Sequence, residues 1–109
     1  MSTKTKIIPL ALTKAKALEI LKETSKDSAR VFFTEHAEEK MVKRRITRTQ
    51  VLRCLRHGYI AEGPVRSMKG NWELAIQVLS AGDVMRVAAA LDYDDGGNFI
   101  VIITAYYVS

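Results

Sequence analysis

The chain predicts an α+β domain in which N-terminal helices pack on a C-terminal antiparallel sheet of about four strands. Three observations carry this expectation. Apolar residues recur at helical spacing as far as about His57 and at a spacing of two beyond Gly58. Turn-forming clusters, Ala81-Gly-Asp83 and Asp94-Asp-Gly-Gly-Asn98, divide the second half into consecutive hairpins. At 109 residues the chain has the size of one ordinary domain, large enough to bury most of its apolar surface without disulfides or metals. One domain is therefore expected over residues 1–109, with helices covering one face of the sheet because that arrangement buries both apolar surfaces.

The elements follow in order. Residues 1–9 read as a flexible leader closed by Pro9. Thr13 is an N-cap candidate for a helix to about Glu23, on which Leu12, Ala15, Leu18 and Leu21, with Ala17 and Ile20, fall at helical intervals. Lys26-Asp-Ser-Ala29 is a polar connection, and Arg30-Val-Phe-Phe-Thr34 is a short strand or extended lead-in. A helix follows from Glu35, with Ala37 and Met41 on one face and Lys40, Lys43 and Arg44 towards water. Thr47 and Gln50 have the spacing of a capping box, so a third helix is expected over about 48–57 with Val51, Leu52 and Leu55 inward. Gly58 is read as its stop in the left-handed conformation. Tyr59 to Glu62 reads as the first strand of the meander, and Pro64 to Asn71 as a loop. Trp72, Leu74, Ile76 and Val78 alternate along the next strand. Val84–Leu91 and Phe99–Val108 complete the sheet. The last strand is apolar on both faces, which predicts a central position, with Thr104 and Tyr106 sharing its inward face.

Charge is divided unevenly. The net charge is +5; residues 1–58 hold fourteen Lys and Arg against six acids, and residues 59–109 hold three against six. A basic helical half draws in polyanions, although solvated Lys and Arg on helix faces are an equally ordinary origin of such a bias. The lone Cys54 excludes an internal disulfide, and a reducing cytoplasm is the expected setting. The apolar run Ile7-Ile-Pro-Leu-Ala-Leu12 is too short for a signal sequence or a membrane span, so no membrane association is expected. His36 and His57 have no cysteine pair beside them, and Asp92-Tyr-Asp-Asp-Gly-Gly-Asn98 lacks the form of a calcium loop, so neither metal nor cofactor is expected.

Several segments together resemble a bacterial family known only as a domain of unknown function. They are Thr34-Glu-His-Ala-Glu-Glu-Lys-Met41, with the pattern T-x-H-A-x-x-[RK]-M, then Arg44-Arg-Ile-Thr47, Val51-Leu-Arg-Cys-Leu-Arg-His-Gly58, Glu62-Gly-Pro64, Gly70-Asn-Trp72 and Ile100-Val-Ile-Ile-Thr104. The likeness runs over about residues 12–107. The chain has Lys40 where the family usually has Arg, and Arg44-Arg45-Ile46 matches the family's R-x-I spacing loosely. The family in turn looks like a relative of the RelE and BrnT type of small bacterial toxins. That resemblance implies a RelE-like fold, RNA as substrate, cleavage of it as an endoribonuclease, and an antitoxin-like protein partner in a toxin–antitoxin pair.

Metal-free cleavage of RNA needs a base for the 2′-hydroxyl, a cation for the phosphate and an acid for the leaving oxygen. The residue types for this are present. His36, Arg45, Thr104 and Tyr106 are the candidate catalytic set, and Lys40, Lys43, Arg44 and Arg86 the candidate substrate-binding set. His36 and Lys40 stand one helical turn apart on one face. Each has a plainer reading: His36 as a cap or core histidine, Arg44 and Arg45 as solvated cations, Thr104 as a β-former, Tyr106 as a core aromatic with a wet tip. Trp72 is either a base-stacking residue or, at its alternating position, core. The rival function is a non-catalytic module that binds RNA or an acidic protein; oligomeric state is left open.

Overall fold

The structure is a computed structural model that describes residues 11–108; the leader expected over residues 1–9 lies outside them. Helix α1 spans Lys14–Thr24, and Thr13 caps it by accepting a hydrogen bond from the Lys16 amide. A single 3-10 turn, Ser28–Arg30, then leads into β1, Val31–Phe33. Helix α2 covers Glu35–Arg44 and α3 covers Arg48–His57. The strands β2, Tyr59–Arg66, β3, Trp72–Ser80, β4, Asp83–Asp94, and β5, Gly97–Val108, follow.

The sheet corrects the expectation of about four antiparallel strands. Among the described residues it has five, in the order β1-β5-β4-β3-β2, and it is mixed because β1 pairs with β5 in parallel. The extended lead-in had no hairpin partner in sequence, so its pairing with residues sixty-nine positions away was invisible to local pattern. The expectation for the last strand holds: β5 lies inside the sheet, between β1 and β4.

Helix ends show where local sequence suffices and where it does not. The Thr47 and Gln50 capping box forms as expected. Gly58 ends α3, but with φ −83° and ψ −172° it is extended rather than left-handed. A Cβ there would lie 2.4 Å from the Gln77 carbonyl oxygen and 2.6 Å from that of Cys54, so the residue is glycine because β3 passes against it. The left-handed helix terminus is instead Arg45, at φ 58°, which ends α2 while its amide bonds back to Met41 and Val42. A side chain in that conformation costs about 1–2 kcal/mol, and burial of the next residue, Ile46, offsets it.

β2 also runs further than expected, to Arg66, through what sequence read as a loop. Register shifts fall between Ile60 and Glu62 and between Glu62 and Val65, and the second absorbs Gly63-Pro64; an edge strand or a bulge is where a sheet tolerates a residue without an N–H. The β3–β4 hairpin closes on Ala81-Gly82, both at positive φ, with Ser80 opposite Asp83; such two-residue turns match strand twist.

One face of the sheet is covered. Ala17 and Leu21 of α1, Ala37 and Met41 of α2, and Val51, Cys54 and Leu55 of α3 bury against Trp72, Leu74 and Ile76 of β3, Met85, Val87, Ala89 and Leu91 of β4, and Ile100, Ile102 and Ala105 of β5. Trp72 is thus core and not an exposed stacking residue. Arg56 ties α3 to α1 with two hydrogen bonds to the Ser25 carbonyl, 2.7 and 3.1 Å. Among the described residues, no helix is long and apolar enough to cross a membrane.

Candidate functional site

Among the described residues no helix lies on the second face of the sheet, and alternation sends the remaining side chains there. Pairing register lines four of them in one row across the sheet. Tyr59 of β2 stands opposite Gln77 of β3, Gln77 opposite Arg86 of β4, and Arg86 opposite Tyr106 of β5. Hydrogen bonds join three of the four. The Gln77 amide nitrogen donates to the Tyr59 hydroxyl at 2.8 Å, and Arg86 donates to the Gln77 amide oxygen through Nε, at 2.6 Å, and through Nη2. Arg86 Nη1 also reaches Glu62 at 3.4 Å. The neighbouring row is small, with Ala75, Ala88 and Thr104 in register beside Glu62.

Thr104 and Tyr106 reach this face by a local irregularity, and this corrects their expected inward position. Register along β4–β5 slips between Ala88 and Ala89, so that Ile102 pairs with Ala89 and Thr104 with Ala88. Before the slip the even-numbered Ile100 and Ile102 face the core; after it the odd-numbered Ala105 does. Thr104 and Tyr106 are therefore sent to the open side. An extra residue in one strand does this wherever it occurs.

The row ends on α2. Strand β1 is only three residues long and pairs no further than Ile102; Thr34, the N-cap of α2, adds one bond from its amide to the Ile102 carbonyl. Beyond that point α2 takes over the edge of β5. Arg44, in its last turn, donates from Nη1 to the Ala105 carbonyl at 2.9 Å and to the Thr104 hydroxyl at 3.2 Å, and its guanidinium lies 5.8 Å from the centre of the Tyr106 ring. A backbone oxygen that β1 is too short to pair is thus satisfied by a cation, at a contribution of about 1.5–3 kcal/mol for a bond to a charged donor.

Of the residues singled out from sequence, the fold brings Arg44, Thr104, Tyr106 and Arg86 together. Among the described residues no hydrogen bond, ion pair or ring contact joins His36 to them. It is exposed in the first turn of α2, and the 1.5 Å rise per residue sets it about 12 Å along the helix axis from Arg44. Lys40 stands between them and is half-buried, so His36, Lys40 and Arg44 form a slowly turning stripe that ends at the sheet. Lys43 and Arg45 are exposed, and Arg45 carries the left-handed turn. The Thr34–Met41 segment divides clearly: Thr34 caps the helix through the Ala37 amide, Ala37 and Met41 are core, and His36 has no structural partner among the described residues. Sequence reasoning missed Tyr59, Gln77 and Glu62. Their positions in a two-residue alternation were visible, but the register that lines them up with Arg86 was not.

Two further groups lie outside this arrangement. Burial pushes the Cys54 thiol up to about 12, and its sulfur faces the Ile76 carbonyl at 3.5 Å, so it is a core residue with no nucleophilic character. Arg30 holds the tip of the β4–β5 hairpin, donating to Asp94 at 2.6 Å and to the carbonyls of Gly97 and Asn98. That hydrogen bond, with one from the Gly96 amide, lowers the Asp94 carboxyl below its ordinary value of 3.8. Among the described residues there is no group of three or more side chains able to hold a metal ion.

No curated protein and no solved structure matches the chain. A family model does match over residues 33–107, which takes in α2, α3 and the strands of the meander as far as Tyr107, and with them every member of the row. The chain belongs to the family described as a domain of unknown function, DUF4258.

Proposed function

We propose that this protein binds RNA on the open face of its sheet and cleaves it without a metal, in the manner of small RelE- and BrnT-type toxins. The observation that carries the proposal is the gathering of Arg44, Thr104, Tyr106 and Arg86, from three separate elements, on a face that no helix among the described residues covers. Two guanidiniums and two hydroxyls in one patch suit a phosphodiester and the charge that develops on it during transfer. The excess of cations in residues 1–58 supplies a field that concentrates a polyanion beside that patch. The resemblance to RelE- and BrnT-type domains read from the sequence motifs points the same way.

In this reading the 2′-oxygen attacks the adjacent phosphorus as the P–O5′ bond breaks, leaving a 2′,3′-cyclic phosphate and a free 5′-hydroxyl. Arg44 and Arg86 hold the phosphate charge, Thr104 donates a hydrogen bond to a phosphate oxygen, and the Tyr106 hydroxyl supplies the proton taken up by the 5′-oxygen. A water held along the α2 stripe beside Lys40 relays the 2′-hydroxyl proton to His36 as base, because the imidazole itself stands about 12 Å along the helix from Arg44. A protein partner with an acidic surface would silence the domain by covering the face.

The separation of His36 from the patch favours a second reading, in which the same face binds RNA and performs no chemistry. One experiment decides between them. Purified protein is incubated with single-stranded RNA in excess chelator, and products are resolved beside binding curves for wild type, Arg44→Ala, Tyr106→Phe and His36→Ala. Cleavage to cyclic-phosphate ends that falls at least tenfold in all three variants supports the enzyme. Salt-sensitive binding with intact RNA supports the binder, and absence of both rejects an RNA role.

A further inference from the structure

We propose that Tyr59 is a second nucleotide-binding position on the sheet, stacking an unpaired base of single-stranded RNA away from the phosphate held at Arg44. This rests on the RNA reading above. The first argument is how the residue is held. Tyr59 is 55% exposed on an edge strand, yet its hydroxyl is fixed by Gln77, which is nearly buried and itself accepts two bonds from Arg86. An exposed ring that only decorates a surface gains nothing from a buried amide and a guanidinium aligned behind it. A ring held this way has little freedom left to lose when a base settles on it.

The second argument is the polarity of the row. At the α2 end stands Arg44, suited to phosphate, while Arg86 lies in the middle of the row with its guanidinium on Gln77 and Glu62. Glu62, on the same strand and face as Tyr59, has a side chain 71% exposed, and one of its oxygens meets Arg86 at 3.4 Å. A carboxylate there repels phosphate and accepts hydrogen bonds from amino groups on a base edge. The row thus separates a phosphate end from a base end. Beside it the Ala75 and Ala88 row leaves a shallow floor for the strand to cross.

The third argument is distance. Tyr59 and Tyr106 are three strand spacings apart, about 14 Å. Bases stacked in a duplex stand about 3.4 Å apart along one strand and offer no free ring face. A base on Tyr59 and a phosphate beside Tyr106, on strands about 14 Å apart, are met together by a single strand with its bases splayed. Stacking tolerates any base, and Glu62 adds preference for one with an exposed amino group.

Binding of a labelled single-stranded RNA of mixed sequence, and of its duplex with the complement, is measured for wild type, Tyr59→Ala, Tyr59→Phe and Arg44→Ala. Loss of one stacked base weakens single-strand binding about 5- to 150-fold in Tyr59→Ala, whereas Tyr59→Phe keeps the ring and stays within about threefold. Photo-crosslinking of thiouridine-labelled RNA to the wild-type protein, mapped to the peptide containing Tyr59, gives the same answer with no variant. Unchanged binding in Tyr59→Ala with loss in Arg44→Ala overturns this inference and leaves the RNA reading standing. Equal affinity for the duplex overturns the single-strand assignment. A wild-type protein that binds neither RNA overturns both.

Discussion

Replacing Gly58 by alanine tests the join between the helical layer and the row on the far side of the sheet. Its backbone, at φ −83° and ψ −172°, is open to any residue, so the substitution meets no dihedral penalty. The cost is steric. The new Cβ would stand 2.4 Å from the Gln77 oxygen, 2.6 Å from the Cys54 oxygen and 2.9 Å from Ile76 Cγ2, and two of those three neighbours are backbone. Overpacked sites that can adjust lose about 1–3 kcal/mol; here α3 or β3 must move as a unit, so a loss of about 3 kcal/mol or more is expected. In a domain near 100 residues that lowers Tm by about 12–24 °C. Urea unfolding followed by Trp72 fluorescence reads it directly. Because Gly58 adjoins Tyr59 and presses on Gln77, the variant should also lose RNA affinity by displacing that pair. A loss below about 1 kcal/mol would refute the close approach as the reason for glycine. Gly70→Ala is the contrast, since nothing lies within 4 Å of its Cβ and only its φ of 96° opposes the change; about 1–2 kcal/mol is expected there.

Other consequences are equally open to measurement. Thr47→Ala removes the capping box of α3 and should cost about 1 kcal/mol in chemical denaturation. Arg44→Lys should behave like Arg44→Ala in binding RNA, because an ammonium cannot lay a planar cation on Tyr106, bond Ala105 and Thr104 through one nitrogen and keep further N–H groups for a phosphate; rescue by lysine would show that charge alone matters. The Asp94 carboxyl is lowered in the folded state by Arg30 and the Gly96 amide, so its contribution is complete above the ordinary value of 3.8 and disappears as pH falls through the lower folded value. Asp94→Asn should therefore flatten the acid limb of the stability curve below about pH 4 and leave its shape near neutrality unchanged. Cys54 should resist alkylation in the native protein and react at the rate of unfolding, as followed by mass spectrometry.

Much of the site's raw material was legible in the chain. Arg44, Thr104, Tyr106 and Arg86 were singled out by residue type, and they meet. Their common location was not, because it depends on a one-residue slip between Ala88 and Ala89 that changes which side of β5 faces the helices. A two-residue alternation counted from Ile100 puts Thr104 and Tyr106 in the core; the slip reverses them. Tyr59, Gln77 and Glu62 went unnoticed for a related reason. Each is unremarkable alone, and only strand register makes them neighbours of Arg86.

Elements whose causes are local could be read from the chain. The Thr13 and Thr47 caps, the helices, the Ala81-Gly82 turn and the helices-then-meander order all follow from residues within a turn or two of one another, where side-chain chemistry acts directly on the backbone. Only packing in three dimensions set the parallel pairing of β1 with β5, the extension of β2 through Pro64, the extended rather than left-handed Gly58 and the placing of Arg44 over the unpaired end of β5. Each of these depends on what lies opposite a residue in space. Contacts between segments as distant as Val31 and Ile100 are settled by packing and by satisfying buried backbone groups, and no window along the chain contains both partners.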